Sequence, residues 1–195
     1  MSPAMSPALS TPEAPRTRGR WQLILLLLVA IGPMILATAM YQWRFWVPDS
    51  RNYHGALIGD GSQLADIGVQ GAAQERWQLL VTTPGDCAED CRQLVYAARQ
   101  IHIGLNREAA RAAHGLAVSR PLAADYDQQL QREYPQLGRY VLDSLKYDKA
   151  VPAGQGAQLW IVDPHGNLVL RYDAKSKGKD ILTDLRLLLK LSQIG

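Results

Sequence analysis

The hydrophobic pattern divides the chain into a continuous apolar block and a series of shorter, periodic segments. From Trp21 to Trp43 there is no charged residue, and the block includes Leu23, Ile24, Leu25, Leu26, Leu27, Leu28 and Val29. At about 1.5 Å per residue this run is long enough to cross a hydrocarbon core of about 30 Å. A cleavable signal peptide would have an apolar core of about 7–15 residues ending at a small-x-small site. Here Ala37-Thr38-Ala39 falls inside the run, and Tyr41, Trp43 and Trp46 form an interfacial belt at its far end. The run therefore predicts a membrane anchor with Pro33 in mid-span.

Beyond it, residues 44–75 contain Pro48, several glycines and only short apolar pairs, which predicts an extended connector partly wrapping a C-terminal domain. Trp77 to Thr82 is a run of strand formers broken by Pro84-Gly85, with Asp86 as a helix N-cap. Cys91, Leu94, Val95, Ala98, Ile101 and Leu105 recur at i, i+3/i+4 and predict an amphipathic helix starting at Cys87. Ala113 to Ser119 predicts a buried strand, and Ala123 to about Tyr134 a helix ended near Pro135. Gln158–Val162 and Asn167–Tyr172 flank Asp163-Pro164-His165-Gly166, a hairpin signal. Ile181, Leu182, Leu185, Leu188, Leu189 and Ile194 predict a closing amphipathic helix.

The resulting order is β-α-β-α-β-β-α, the α/β arrangement of a thioredoxin-like domain, preceded by a single transmembrane helix. The predicted organisation is a disordered, Pro/Ser/Ala-rich tail over 1–20, the transmembrane helix over 21–43, the connector over 44–75 and the thioredoxin-like domain over 76–195. Arg16, Arg18 and Arg20 precede the apolar run, against Arg44 and Arg51 after it. The positive-inside tendency then places the N-terminus in the cytoplasm and the C-terminal domain outside.

The chain has 195 residues, a net charge of +3 and only two cysteines. Neither a disulfide scaffold nor a Cys-rich zinc site is possible. No basic patch interleaved with aromatics suggests nucleic acid, and no Ser/His/Asp set, P-loop or HExxH pattern is present. Chemistry therefore centres on Cys87 and Cys91, at the seam between the first strand and its helix. In a regular helix the Cβ atoms of such a pair lie about 5–6 Å apart, whereas a disulfide needs about 3.8 Å. The pair can bond only if the first turn opens. The helix N-terminus favours a thiolate, while the carboxylates of Asp86, Glu89 and Asp90 oppose it. A staple closing so small a ring yields only about 2 kcal/mol. The spacing suits a reversible redox pair or a two-coordinate Cu(I) site. Of the four histidines, His102, His114 and His165 map to the end of the sheet away from the cysteines, which leaves His54 as the one further copper-ligand candidate.

Several segments carry a resemblance: Asn52-Tyr53-His54-Gly55-Ala56-Leu57-Ile58, Cys87-Ala88-Glu89-Asp90-Cys91-Arg92, Asp163-Pro164-His165-Gly166-Asn167-Leu168 and the ending Leu187 to Gly195. From about Trp43 onward the chain resembles the Sco/SenC copper chaperones of cytochrome c oxidase assembly. It is more similar still to small proteobacterial membrane proteins encoded beside cytochrome oxidase genes. The resemblance implies a bacterial inner-membrane protein with a periplasmic domain, partnered by cytochrome c oxidase subunits or other assembly factors. It also implies a third copper ligand, a histidine shortly before the hairpin strand. That position falls near Gln155, and no histidine is there. The two cysteines carry over and the third ligand does not. The expected activity is thus thiol–disulfide exchange by Cys87, the attacker, and Cys91, the resolver, with no cofactor required. Sco-like Cu(I) delivery and a non-catalytic assembly scaffold are the alternatives.

Overall fold

The computed structural model describes residues 17–43, 53–72, 75–152 and 154–192, in two units, Met1–Ser50 and Arg51–Gly195. In the first unit, α1 (Thr17–Trp43) is one helix through Pro33. Its stretch Gly19–Ala39 is long and apolar enough to cross a membrane, and no part of it is buried by protein. The tail over 1–16 and Trp46 of the aromatic belt lie outside the described residues.

The second unit is built on β1 (Ala56–Leu57), β2 (Val69–Gln70), β3 (Trp77–Thr83), α2 (Glu89–Gly104), β4 (Ala112–Val118), α3 (Ala124–Glu133), β5 (Gly138–Leu142), α4 (Ser144–Ala150), β6 (Gln158–Val162), β7 (Leu168–Tyr172) and α5 (Gly178–Leu191). The sheet runs β1-β7-β6-β3-β4-β5-β2. β3, β4 and β5 are parallel, and β6 and β7 join antiparallel beside β3. The predicted β-α-β-α-β-β-α order is present, and the fold is thioredoxin-like. A further strand and helix, β5 and α4, are inserted before the hairpin.

β3 is buried along its whole length because both faces of the sheet are covered. Its residues alternate, as the period of a strand requires. Leu79 and Val81 point into one core with Leu94 and Val95 of α2 and Ile181 and Leu185 of α5. Leu80 points into the other with Trp160, Leu168, Tyr147 of α4, and Leu64 and Ile67 of the connector. That second core is organised around a hydroxyl. Thr82 Oγ1 accepts from Trp160 Nε1 at 2.8 Å and shares a hydrogen bond with the Tyr147 hydroxyl at 2.9 Å.

The connector forms sheet edges. β1 pairs with β7 and β2 with β5, so short strands from residues 53–72 close both sides and shield ladders that would otherwise invite pairing with other chains. Gly68 makes the turn into β2 possible. Its φ is +79°, and a Cβ there would lie 2.7 Å from the Asp143 carbonyl. The Asp163-Pro164-His165-Gly166 turn forms as predicted, with Asp163 Oδ1 accepting from the backbone N–H groups of His165 and Asn167.

The start of α2 differs from the expected one. Asp86 does not cap α2, which starts at Glu89 with Ala88 in the N-cap position and no side-chain cap. Residues 86–88 lie outside the helix because Cys87 is drawn across to Cys91.

Candidate functional site

Cys87 and Cys91 form a disulfide, with Cα atoms 5.1 Å apart. This separation lies within the usual range for the bond, reached because the first turn is opened at residues 86–88. The two sulfurs have different surroundings. Cys91, on the inner face of α2, is 2% exposed and part of the core with Leu94 and Val95. Cys87 precedes the helix and is half-buried at the margin of that core.

The segment around Cys87 is braced from two sides. Arg92 Nε donates to the Cys87 carbonyl at 3.3 Å, and its guanidinium lies 4.5 Å from the centre of the Tyr126 ring. Burial pushes the Tyr126 hydroxyl up to about 12, so the ring presents a neutral face. Ser119, just past β4, donates to the Pro84 carbonyl and holds the bend between β3 and α2. Asp86, Glu89 and Asp90 are all exposed, which lets solvent screen their effect on a thiolate. The guanidinium of Arg92 and the N-terminus of α2 favour the thiolate once the bond is reduced.

The histidines fall into separate places. His114 sits opposite Leu79 in the sheet register, and His165 lies in the turn after Val162, which pairs with Gln78. Both are toward the end of β3 away from the cysteines. His102 packs against His114 with ring centroids 4.9 Å apart, and its Nε2 donates to the carbonyls of Ala109 and Ala112. Burial, then the neighbouring His102 and Arg99, push His114 down to about 4 from 6.5. His114 is thus held neutral while the unfolded chain takes up a proton near pH 6.5. Stability from this group is complete above that value, is lost as pH falls toward 4, and then levels off. The loss amounts to about 3 kcal/mol at most. Urea unfolding of wild type and His114→Gln across that range should show a steeper loss of stability in the wild type, the difference being the His114 contribution.

His54 is placed with Asp184 and Tyr172 instead of with the cysteines. Asp184, on α5, is 0% exposed. It accepts from His54 N at 2.7 Å, Gly55 N at 3.1 Å and the Tyr172 hydroxyl at 2.7 Å, and His54 Nδ1 lies 2.8 Å from its other oxygen. Burial alone would raise the Asp184 carboxyl, but these hydrogen bonds outweigh it and the net direction is down. The same contact raises His54. Asp184 and Tyr172 escaped the sequence reading. The available signal was an acid three residues beyond Ile181 and one before Leu185, on the apolar stripe of α5.

Among the described residues, no group of three or more His, Cys, Asp or Glu is arranged to hold a metal ion. Gln155 is exposed. A copper ion would find two sulfurs, available only after reduction, and no third donor from His54. Among the described residues, those present do not complete a three-donor copper site.

A sheet whose first crossover helix opens on a half-exposed and a buried cysteine, joined as a disulfide, defines a thioredoxin-like domain. The chain belongs to the family described as transmembrane-like, thioredoxin-like, C-terminal domain, matched over residues 77–192. Residues 13–44 match the accompanying transmembrane-like N-terminal domain. Among solved structures it is similar to copper-bound ScoI of Arabidopsis thaliana, with 9% identity over 62% of this chain and 88% of that one, at a TM-score of 0.48. Copper-bound ScoI of Bradyrhizobium japonicum has 14% identity over 59% and 86%, at 0.42. The thioredoxin domain of a thiol-disulfide oxidoreductase from Bacteroides vulgatus has 12% identity over 59% and 80%, at 0.43. No curated protein matches the chain.

Proposed function

We propose that this is a membrane-tethered thiol–disulfide protein that assists assembly of the copper site of cytochrome c oxidase through Cys87 and Cys91. The observation that carries the reading is the disulfide at the β3–α2 seam, with one sulfur at the surface and the other in the core. In the reduced protein, the Cys87 thiolate attacks a client disulfide and expels one client thiolate, leaving a mixed disulfide. The Cys91 thiolate then attacks Cys87 Sγ and releases the second client thiol. Two electrons have passed to the client, and the Cys87–Cys91 bond has re-formed. An external dithiol returns the pair to its reduced state. The apolar helix α1 keeps this cycle at the membrane, and the Arg16, Arg18 and Arg20 cluster supports a periplasmic domain on a bacterial inner membrane.

The test is a Cys87→Ser/Cys91→Ser full chain in cells lacking the wild-type protein, read by copper content and activity of the oxidase. Loss of both, restored by wild type, is expected. Copper-loaded, active oxidase would sink the exchange reading, and co-purification of oxidase subunits with that variant would identify a scaffold. Stoichiometric Cu(I) retention by the reduced full chain against a competing chelator, weakened by His54→Ala, would instead identify a metallochaperone.

A further inference from the structure

The segment that enters α2 carries a helix cap that the disulfide-bonded chain does not use. Asp86-Cys87-Ala88-Glu89 has the spacing of a capping box. In such a box the first side chain accepts from the N–H three residues on, and the acid there reaches back to the first N–H. A helix built on it would begin at Cys87. Here α2 begins at Glu89, behind Ala88, which offers no side-chain cap. The Asp86 side chain is 84% exposed, and its ion pair with Arg120 spans 3.9 Å. Among the described residues neither Asp86 nor the exposed Glu89 makes a side-chain hydrogen bond.

The disulfide excludes this cap. The Cα atoms of Cys87 and Cys91 are 5.1 Å apart, whereas four residues of regular helix rise about 6 Å. Their Cβ atoms would lie about 5–6 Å apart in a helix, against about 3.8 Å in a disulfide. The segments on either side are already fixed. Ser119 holds the Pro84 carbonyl, and the Ala88 carbonyl accepts from the Arg92 N–H as the first bond of α2. Only Gly85 to Ala88 would have to move, and a Cβ on Gly85 would meet nothing within 4 Å. The Cys87 carbonyl, which the Arg92 side chain serves at 3.3 Å, is the group that would accept from the Cys91 N–H in a longer helix.

We propose that the capping box belongs to the reduced chain: once the bond opens, Cys87 and Ala88 join α2 and Asp86 caps it. Reduction by an external thiol pair breaks the S–S bond and places two electrons and two protons on the sulfurs, leaving the external pair as a disulfide. Because the cap forms in only one redox state, its free energy shifts the balance toward that state. Asp86 is thus a positioning residue that sets the Cys87 sulfur at the positive end of the helix. That this thiol then attacks a client rests on the exchange function proposed above. The cap requires no client, so the two readings fail separately.

The experiment equilibrates the full chain, in detergent micelles, with graded glutathione buffers and reads the reduced fraction by alkylation. Asp86→Ala should lower the equilibrium constant for reduction about fivefold, or about 20 mV for a two-electron couple. Asp86→Ser keeps a capping oxygen without the charge and should not show that loss. The sign separates cap from charge. Losing a carboxylate beside the thiols eases reduction, so a charge effect alone would move both variants together in the opposite direction. Hydrogen exchange should show the amides of Glu89, Asp90 and Cys91 gaining protection on reduction, and in Cys87→Ser/Cys91→Ser without reductant. In the oxidised chain Asp86→Ala should leave those amides unchanged. Equal exposure of the three amides in both redox states would overturn the proposal. So would an equilibrium that Asp86→Ala and Asp86→Ser shift alike, or that neither shifts.

Discussion

A Cys91→Ser chain is expected to accumulate a mixed disulfide with its client through Cys87, while a Cys87→Ser chain should accumulate none. The asymmetry follows from burial. Cys91 is 2% exposed and packs against Leu94 and Val95, where a client sulfur cannot approach in line. Cys87 lies outside α2, half-buried, with the helix N-terminus and Arg92 favouring its thiolate. In the wild type the mixed disulfide is short-lived because its resolving thiol lies on the adjacent turn, so attack is intramolecular. Removing that thiol should lengthen the lifetime of the adduct on the order of 100-fold or more. Acid-quenched, alkylated samples run without reductant would show a client-sized shift that reductant abolishes. A buried serine hydroxyl carries its own cost, so Cys91→Ala serves as the matched variant and should trap equally. Trapping by Cys87→Ser but not by the Cys91 variants would reverse the roles. No adduct with any of them would remove exchange from the account.

The second large effect is on stability. Asp184→Ala should lower the unfolding free energy of the second unit by about 3–5 kcal/mol. Truncation leaves the Tyr172 hydroxyl and the N–H groups of His54 and Gly55 without the acceptor that now satisfies them, around a side chain that is 0% exposed. For a unit of this size the midpoint of thermal unfolding should drop by about 10 °C. Tyr172→Phe removes one donor and keeps the carboxylate bonded to the others, so it should cost about 1 kcal/mol. Hydrogen exchange gives the more specific readout. Asp184→Ala should release protection at His54 and Gly55 and along β1, whose pairing with β7 depends on how those residues are held. An Asp184→Ala protein as stable as wild type, with those amides still protected, would show that the carboxylate is not the clamp.

The two members of the clamp link stability to pH in opposite directions, His54 against the direction of His114 and Asp184 along it. The contact with Asp184 raises His54, so its contribution is present below the ordinary histidine range and is lost as pH rises through the raised value. Asp184 itself, held down, contributes above the ordinary carboxylate range and loses that contribution on acidification. The His114 slope is therefore best isolated as a difference between wild type and His114→Gln.

Why some of this was legible in the residue order and some was not comes down to the distance over which each feature is encoded. The helix α2 was readable because Leu94, Val95, Ala98 and Ile101 repeat within one segment. The β6–β7 hairpin was readable because Asp163 and Gly166 solve a local backbone problem. β5 and α4 went unread despite Asp143, whose side chain caps α4 by accepting from Leu145 and Lys146. β5 alternates without a strong apolar face, and α4 buries only Tyr147. Their stability comes from the sheet edge and the second core more than from their own periodicity.

The residue order alone determined the apolar helix, the order of the central strands and helices, and the seam at which both cysteines lie. Each depends on spacing over a few residues, which the chain carries wherever it is placed. Only the tertiary structure decided that the connector closes both edges of the sheet and that Cys91 is buried while Cys87 is not. It also decided that His54 belongs to Asp184, 130 positions away, and not to the cysteines. A buried carboxylate selects its donors by what folding brings within hydrogen-bond distance, and no local pattern records which residues those will be.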